Sequence, residues 1–118
     1  MKYVDGFLLV VPTKKLPEYK AIARKAGRVW RELGALQYVE CAGDDLAGEL
    51  GMPFGKRVAH KRSETIVFSF IVYSSRAHRD RVNKKVMADK RMQAMCKAPM
   101  PFDLKKMSYG GFRVLVDA

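Results

Sequence analysis

The sequence predicts an α+β domain of the ferredoxin-like type, with a four-stranded antiparallel sheet and two main helices on one of its faces. Two observations lead to this prediction. Strand-like and helix-like segments follow one another in the order β-α-β-β-α-β, which is the split βαβ pattern. The segment Glu64–Tyr73 is largely apolar on both sides, as expected of a central strand that is covered on both faces. A chain of 118 residues has the length of one domain, which we assign to residues 1–118.

The first half of the chain predicts a strand, a helix and a second strand. Tyr3–Val11 is apolar and rich in β-forming residues, and Pro12 ends it. In the next segment, LPEYKAIARKAGRVWREL, apolar side chains recur at steps of three and four, which predicts a long amphipathic helix that stops at Gly34. Gly27 lies in the middle of this helix, where we expect it to allow a close approach to the sheet. The segment ALQYVECAG predicts the second strand.

The second half begins with a predicted loop at about 43–63, where glycines, Pro53 and alternating charges interrupt any periodic pattern. A loop of this length in a compact domain is often functional or mobile. After the central strand, Ser74 or Ser75 is expected to cap a second helix that runs to about Ala88 and has only a narrow apolar stripe. A short helical piece, a turn-rich link and the strand KMSYGGFRVLV complete the chain.

The predicted sheet has one face that its own helices leave uncovered. Two helices cover only one face of a four-stranded sheet, whereas the strands carry apolar side chains on both faces. An apolar surface of that size is normally an interface. We therefore expect a homodimer in which two sheets pack face to face.

The charge of the chain raises the question of an anionic partner. A formal net charge of +11 suits a nucleic-acid-binding protein, but the Lys and Arg residues are spread along the sequence and predict no single basic face. RNA-recognition domains share this element order and use aromatic side chains of strands one and three, which here are Tyr3, Phe7, Phe68 and Phe70. The strand ETIVFSFIVY differs from their signature. An RNA-binding domain is therefore kept as an alternative, with nucleic acid the less favoured partner.

Several other classes of protein are disfavoured. No apolar run approaches the roughly 20 residues required to span a membrane, and the start MKYVDGFLLVVP reads as a strand rather than an export signal, so we expect a cytoplasmic protein. Cys41 and Cys96 show no metal-ligand spacing and are expected to be buried free thiols. Asp44 and Asp45 are better explained as a turn than as metal ligands. Neither a metal nor a cofactor is expected, since glycine-rich phosphate loops are also absent.

Several sequence blocks resemble one bacterial family. YVDGF at 3–7, GALQYVECAGDD at 34–45, VNKKVMAD at 82–89, PFD at 101–103 and KKMSYGGF at 105–112 are similar, in this order, to blocks of the YbaA-type proteins, the family called domain of unknown function 1428. The resemblance covers nearly the whole chain and implies a dimeric α/β barrel, in which two ferredoxin-like protomers pack their sheets together. That superfamily includes cofactor-free monooxygenases, muconolactone isomerases, chlorite dismutases and haem-degrading enzymes. No single activity follows, because fold does not determine function.

Polar side chains on the strands are the candidate catalytic residues. Tyr38 and Glu40 share one face of the second strand beside the long loop, where a phenol and a carboxylate can polarise and deprotonate an acidic C–H or O–H group. The alternative is a packed ring and a structural ion pair. Asp5 lies within an apolar strand, where a carboxylate acts as a general base, as a hydrogen-bonded structural residue near a strand end, or as the partner of a Lys or Arg on a helix.

Tyr109 and Trp30 are the candidate ligand-binding residues. Tyr109 precedes Gly110 and Gly111 in the last strand, where glycines mark a bulge, a nearby ligand or the close packing of a side chain such as that of Trp30. The sequence thus predicts a small-molecule site, either of a cofactor-free enzyme acting on a small organic substrate or of a ligand-binding module. RNA binding and a structural dimer without a site are the alternatives.

Overall fold

The structure, a computed structural model that describes residues 1–118, contains one four-stranded sheet and four α-helices. The strands are β1 (Tyr3–Pro12), β2 (Gln37–Ala42), β3 (Glu64–Tyr73) and β4 (Ser108–Arg113). The helices are α1 (Leu16–Glu32), α2 (Phe54–Arg57), α3 (Arg76–Ala88) and α4 (Lys90–Lys97). Short 3-10 helices precede α1 and β4, at Thr13–Lys15 and Leu104–Lys106.

The sheet has the strand order β2-β3-β1-β4, and all neighbouring strands are antiparallel. The central strands β1 and β3 pair along their whole length, from Tyr3 opposite Tyr73 to Pro12 opposite Glu64. This is the ferredoxin-like arrangement, so the fold predicted from the sequence is confirmed. The long strands are central and the short strands β2 and β4 form the edges.

Helix α1 forms because its apolar residues recur at helical spacing, and it packs this stripe on the sheet. It buries Tyr19, Ala23 and Val29. The helix ends before Gly34, whose φ of +122° is a conformation that a residue with a side chain rarely adopts. Gly27 is also buried, and a Cβ atom there would lie 2.8 Å from Cδ1 of Tyr38 in β2. The predicted role of Gly27 in close helix–sheet approach is therefore confirmed.

Helix α3 has the narrow apolar stripe that the sequence predicts. Only Val82 and Val86 of this helix are buried. The hydroxyl oxygen of Ser75 accepts a hydrogen bond from the backbone N–H of His78 (3.0 Å), which caps the helix at one of the two expected positions. Asp89 separates α3 from α4 and caps α4 by accepting a hydrogen bond from the Arg91 N–H (2.8 Å). The two helices thus turn their charged sides to solvent.

The core lies between the helices and one face of the sheet, in two clusters. The larger cluster joins buried side chains of α3 and α4 to Tyr3, Ile71 and Tyr73. The smaller cluster joins Tyr19 and Ala23 of α1 to side chains of β1 and β3. Its remaining members are Leu9, Val11 and Val67. The odd-numbered positions of β1 and β3 therefore point to the helices.

The even-numbered positions of β1 and β3 point to the other face of the sheet, which we call the open face. Strand pairing adds alternate residues of β2 and β4, and the face thus includes Val4, Phe68, Phe70, Cys41 and Phe112. Phe68 is 42% exposed and Phe112 is 61% exposed. Cys41 is exposed as well, as is Cys96 on α4, so the expectation of buried thiols is wrong. For Cys41 the reason is that β2 is an edge strand.

The segment 43–63 contains only the four-residue helix α2 as regular structure. Backbone hydrogen bonds hold it near its start, from Gly43 N–H to the Ile66 carbonyl (2.8 Å) and from Gly55 N–H to the Leu46 carbonyl (3.2 Å). Leu50 at its tip is fully exposed. Nowhere in the chain does a helix combine the length and the apolar character required to cross a membrane.

Candidate functional site

The candidate site is centred on the carboxylate of Glu40 in β2. Its Oε1 accepts a hydrogen bond from the hydroxyl of Tyr19 (2.6 Å), and its Oε2 accepts one from the hydroxyl of Tyr38 (2.8 Å). Tyr38 and Glu40 lie two residues apart on the strand and both point to α1. Tyr19 reaches them from the first turns of α1. The structure thus brings together two of the residues predicted from the sequence and one that was missed.

The signal for Tyr19 was present in the sequence. Tyr19 occupies a position of the apolar stripe of α1, and this position alone predicts a core side chain. A buried tyrosine hydroxyl also needs a hydrogen-bond partner, and the polar strand residue that α1 crosses is Glu40. The ring packs in the core while the hydroxyl belongs to the site.

The electrostatics of the site give the tyrosines and Glu40 different roles. Burial raises the pKa of Tyr38 far above its usual range, and the negative charge of Glu40 raises it further. The pKa of Tyr19 is raised for the same reasons, first burial and then its hydrogen bond to Glu40. Both phenols therefore stay protonated and act as hydrogen-bond donors. No Lys or Arg forms an ion pair with Glu40, so the structural ion pair considered as an alternative is absent.

Two hollows meet at this carboxylate. The inner cavity, of about 200 Å³, lies between the sheet and the helices and is lined mainly by apolar side chains. The outer groove, of about 870 Å³, runs between α1 and the edge strand β2 and carries several basic side chains of α1. Tyr19, Ala23, Tyr38 and Glu40 line both. We call Tyr19, Tyr38 and Glu40 the polar wall, because these side chains separate the two spaces.

The inner cavity is closed by side chains from opposite ends of the chain. Phe7 and Ile71 of the central strands and Trp30 of α1 form part of its lining. Leu9, Ile22 and Ala26 add apolar surface from β1 and α1, and the segment that follows α3 contributes four further apolar side chains. These residues are Met92, Met100, Phe102 and Met107.

Trp30 joins the inner cavity to a partly buried polar cluster. Its indole N–H donates to the hydroxyl of Tyr73 (3.1 Å) and lies 3.4 Å from Oδ1 of Asn83. Its ring centroid is 5.9 Å from that of Tyr38. The structure therefore places Trp30, a predicted ligand-binding residue, beside the polar wall and in the cavity lining.

Comparison with known proteins assigns the chain to a family. The family model described as "Protein of unknown function (DUF1428)" matches residues 2–104. The chain belongs to the DUF1428 family. It is 43% identical to "Uncharacterized protein YbaA" of Escherichia coli (strain K12) and to that of Shigella flexneri, in both cases over 117 residues that cover 99% of each chain. The family resemblance drawn from the sequence blocks is therefore confirmed.

One solved structure shows the same fold at low sequence identity. A variant of SnoaB from Streptomyces nogalater, described as a cofactor-independent oxygenase, superposes on this DUF1428 chain with a TM-score of 0.58. The match covers 98% of this chain and 95% of that one, with 10% sequence identity. At this identity the similarity establishes the fold and leaves the chemistry to be argued from the residues.

Asp5 of this DUF1428 chain lies away from the polar wall and lines neither hollow. It is buried and forms an ion pair with Arg79 of α3 (3.6 Å). Arg79 also donates to the hydroxyl of Tyr3 (3.3 Å) and lies over its ring, 4.9 Å from the centroid. Burial raises the pKa of Asp5, and the positive charge of Arg79 acts in the opposite direction. The structure thus shows the carboxylate paired with an arginine on a helix, the last of the roles considered.

Tyr109 also lies outside both hollows. Its ring is 75% exposed and stacks on that of Phe7, with 6.3 Å between centroids. The neighbouring Gly111 allows the close approach of Tyr3, because a Cβ atom on Gly111 would lie 2.5 Å from the Tyr3 hydroxyl oxygen. The side chain that packs on Gly111 is thus Tyr3, and the one nearest to Gly110 is Phe112; Trp30 is nearest to neither. No cluster of three or more His, Cys, Asp or Glu side chains is arranged to hold a metal ion.

Proposed function

We propose that this DUF1428 protein binds a small organic molecule in the inner cavity and transfers a proton from it to Glu40, without a cofactor. The observation that carries the proposal is the Glu40 carboxylate, which faces an apolar cavity, has no cationic partner and holds two protonated tyrosines. A base within reach of a substrate in a cavity is the main requirement for general base catalysis. Tyr38 and Glu40 thus keep the roles suggested by the sequence, while Tyr19 is added to them.

The proposed step is the removal of a proton from carbon next to a carbonyl group. The C–H bond breaks, its proton moves to an oxygen of Glu40, and its electron pair moves into the substrate to give an enolate. Tyr19 and Tyr38 each have one O–H group, which donates to Glu40 in the free protein. When Glu40 accepts the substrate proton and loses its negative charge, the Tyr38 hydroxyl leaves it and donates instead to the enolate oxygen, where the negative charge develops. Return of the proton to a different atom completes a tautomerisation. This sequence of steps requires no oxidant, reductant or second substrate.

The composition of the inner cavity supports a compact, largely apolar substrate. Its lining offers aromatic rings, among them Trp30 and Phe102. The hydrogen-bonding groups that take part in the proposed reaction are those of the polar wall. Small-molecule sites are commonly of this kind, apolar with a few convergent polar groups. SnoaB, with the same fold, is described as a cofactor-independent oxygenase. That description is consistent with a reaction that protein side chains start without a cofactor.

We further propose that residues 1–118 act as one domain of a homodimer that forms through the open face, in the cytoplasm. Phe68 and Phe112 leave apolar surface on this face that a second copy of the chain would cover. A two-fold dimer places the same patch of both copies in contact, which suits a sheet that packs on itself. The two exposed free thiols are consistent with a reducing compartment.

The RNA-binding alternative has less support from the arrangement of the aromatic residues. Recognition by a four-stranded sheet requires the rings of strands one and three on the same open face. Phe68 and Phe70 lie on the open face, but Tyr3 and Phe7 point to the helices. Half of the expected stacking surface is therefore directed into the core of the domain.

The proposed function is tested by deuterium exchange in a panel of small enolisable aromatic ketones and 2-oxo acids. In D₂O, we expect the protein to accelerate exchange of the acidic C–H in at least one class of compound, as followed by proton NMR. Glu40→Gln removes the base with little change in shape and should reduce this acceleration at least about a hundredfold. Glu49→Gln, at an exposed loop position, is the matched control. Undiminished exchange with Glu40→Gln would rule out the proposed role of Glu40.

A further inference from the structure

The outer groove carries a concentrated positive charge. Four basic side chains of α1 line it, and the only acidic side chain in its lining is Glu40. These basic residues are Lys20, Arg24, Arg28 and Arg31. Because they are four, four and three positions apart, they form one stripe along the side of the helix that faces β2. The basic residues that seem scattered in the sequence are therefore gathered, in part, at the mouth of the candidate site.

The groove cations lack the carboxylate partners that Arg79 and Arg91 have. Arg79 pairs with Asp5, and Arg91 pairs with Glu32 and Asp89. Arg24 and Arg28 make no ion pair or side-chain hydrogen bond. Like charges at such spacing destabilise an isolated helix, so the stripe does not serve the stability of α1. The guanidinium groups are thus free to bind an anion from solution.

We propose that the molecule bound at this site is a small organic anion whose carboxylate or phosphate group is held by Arg24 and Arg28. The inference rests on the proposed function, because it names the class of substrate that enters the inner cavity. The anionic group would stay in the outer groove, while the apolar part extends past the polar wall into the inner cavity and places its enolisable carbon at Glu40, which lines both spaces. In this proposal the outer groove binds the anionic group of the ligand, and the inner cavity binds its apolar part.

The dimensions of α1 suit such a ligand. Arg24 and Arg28 are one turn apart, which separates their Cα atoms by about 6 Å along the helix axis. Two guanidinium groups at this spacing can converge on one carboxylate or phosphate, for which their planar N–H donors are well shaped. The volume of the outer groove, about 870 Å³, lies within the range of small-molecule sites.

The positive stripe also suits the proposed reaction. Proton transfer to Glu40 leaves an additional negative charge on the substrate, and nearby guanidinium groups stabilise that charge. Without them, a substrate that is already an anion would approach the Glu40 carboxylate against electrostatic repulsion. Four cations against one carboxylate reverse the sign of the local potential.

A small anion fits the groove better than a nucleic acid does. Single-stranded nucleic acids are bound by a basic groove together with exposed aromatic rings on which bases stack. The aromatic side chains in the lining of the outer groove are Tyr19, which is buried, and Tyr38, which is packed against Gly27. Neither ring offers an open face for stacking. The groove thus has the charge of a nucleic-acid site without its stacking surface.

The test compares acids with neutral analogues that carry the same aromatic ring. The probes are phenylpyruvate with its methyl ester, and phenyl phosphate with phenol. Trp30 is the only tryptophan of the chain and lines the inner cavity, so its indole N–H signal in a ¹⁵N-correlated NMR spectrum reports entry of the ring. Titration of this signal gives the dissociation constant of each probe.

We expect at least one acid to bind roughly tenfold or more tightly than its neutral partner. The double variant Arg24→Gln/Arg28→Gln should remove this preference and leave the affinity for the neutral partner unchanged. Lys25→Gln/Arg81→Gln, which alters two exposed cations outside the groove, removes the same net charge and should retain the preference. Equal affinity for acids and neutral partners, or a preference that survives the arginine substitutions, would overturn the proposal, as would the absence of binding by all four probes. The pair that shows the preference distinguishes a carboxylate from a phosphate ligand.

Two further outcomes separate this inference from the proposed function. If the methyl ester exchanges deuterium in a Glu40-dependent reaction as fast as the acid does, the proposed function stands and the anionic substrate class is wrong. If an acid shifts the backbone N–H signals of α1 in the same spectra, in a way that requires the arginines, but does not shift the Trp30 signal, the cavity reaction and the substrate assignment both fail. A mixed-sequence RNA oligonucleotide is the last probe in the binding test. If this RNA binds at physiological salt and the binding requires the arginines, the groove is a nucleic-acid site instead.

Discussion

Gly27 of α1 lies directly against the ring of Tyr38 in β2, so close that a methyl group on Gly27 would be 2.8 Å from Cδ1 of that ring. This contact holds the edge strand under the helix and orients the Tyr38 hydroxyl to Glu40. A glycine in the middle of a helix costs about 1 kcal/mol relative to alanine. The helix tolerates this cost where the site requires a close approach.

We therefore expect Gly27→Ala to destabilise the protein, although alanine is the better helix former. Overpacking costs about 1–3 kcal/mol, against a gain of about 1 kcal/mol in helix propensity, so the net loss should be about 1 kcal/mol. The displaced Tyr38 ring should also weaken probe binding at Trp30. Urea denaturation measures the first effect. Gly48→Ala, with no atom near the new methyl group, is the control and should leave stability nearly unchanged.

The two hydrogen bonds to Glu40 should contribute to stability as well as to the site. Tyr19→Phe and Tyr38→Phe each remove one donor from a partly buried carboxylate, which should cost about 1–3 kcal/mol of unfolding free energy. In Glu40→Gln, either single tyrosine substitution should cost less, because the acceptor is no longer charged. A double-mutant cycle measures this difference. Full additivity of the substitutions would show that the tyrosines do not interact with the charge.

The raised pKa values of the buried tyrosines predict how stability depends on alkaline pH. Burial raises the pKa values of Tyr19, Tyr38 and Tyr73 in the folded state well above the 10.0 of an unperturbed phenol. At pH values between the unfolded-state and folded-state pKa values, the unfolded state releases tyrosine protons that the folded state retains. The stabilisation is therefore complete below about pH 10 and is lost progressively as the pH rises above that value.

Urea denaturation at a series of pH values from 8 to about 11.5 would show this loss. Tyr38→Phe should reduce the slope of unfolding free energy against pH above 10, because one retained proton is removed. Tyr109→Phe, at an exposed ring, controls for the substitution itself. Identical slopes for Tyr38→Phe and the parent protein would contradict the assignment.

The ion pair between Asp5 and Arg79 should respond asymmetrically to substitution. Asp5→Asn removes a buried charge, and Arg79 keeps a second ion pair with Asp80 (3.1 Å), so we expect a change within about 1 kcal/mol. Arg79→Met leaves the Asp5 carboxylate buried without its cation and should cost about 2–4 kcal/mol at pH 7. The double variant should recover much of that loss.

The pH dependence of Arg79→Met provides an independent check. Burial already raises the pKa of Asp5, and loss of the Arg79 charge removes an effect that lowers it. A raised pKa in the folded state means that the protonated carboxyl is favoured on folding. Relative to the parent, Arg79→Met should therefore regain stability as the pH falls from 7 toward the unfolded pKa of Asp5, as measured by chemical denaturation.

The proposed dimer predicts that Cys41 is protected in solution although it is exposed in the single chain. Cys41 lies on the open face, opposite Phe68 in the strand pairing. A thiol reagent should therefore modify Cys41 slowly and Cys96 rapidly. Phe68→Glu should yield monomers in sedimentation velocity and restore rapid modification of Cys41. Met87→Glu, at an exposed position of α3, is the control; a parent protein that sediments as a monomer would refute the dimer.

The element order and part of the site follow from local patterns in the sequence. The helical spacing of α1 and the two-residue alternation of β2 were sufficient to place Tyr38 and Glu40 on one face. The partner of Glu40 on α1 was not predicted, because Tyr19 fits the apolar stripe and its hydroxyl gives no periodic signal. Asp5 posed the same difficulty, since its partner Arg79 is 74 positions away and only the fold brings them together. Local pattern thus predicts faces, whereas pairing across the fold requires the structure.

The solvent accessibility of Cys41 and the role of the segment after α3 illustrate a second limit of local pattern. Cysteine is usually buried, but β2 is an edge strand, and edge position depends on the order of all four strands. The segment with Met100 and Phe102 reads as a turn-rich link, yet it closes the inner cavity. Both features arise from the position of a segment in the fold, which its composition does not encode.

The three methionines in the lining of the inner cavity have a consequence for selectivity. Met92, Met100 and Met107 carry unbranched, polarisable thioether chains that change shape at little energetic cost. A cavity bounded by such side chains accommodates aromatic rings of different size and shape. Discrimination among ligands would then fall to the rigid guanidinium groups at the entrance, so that related proteins could change their preferred acid by substitutions along one side of α1 while keeping the same cavity.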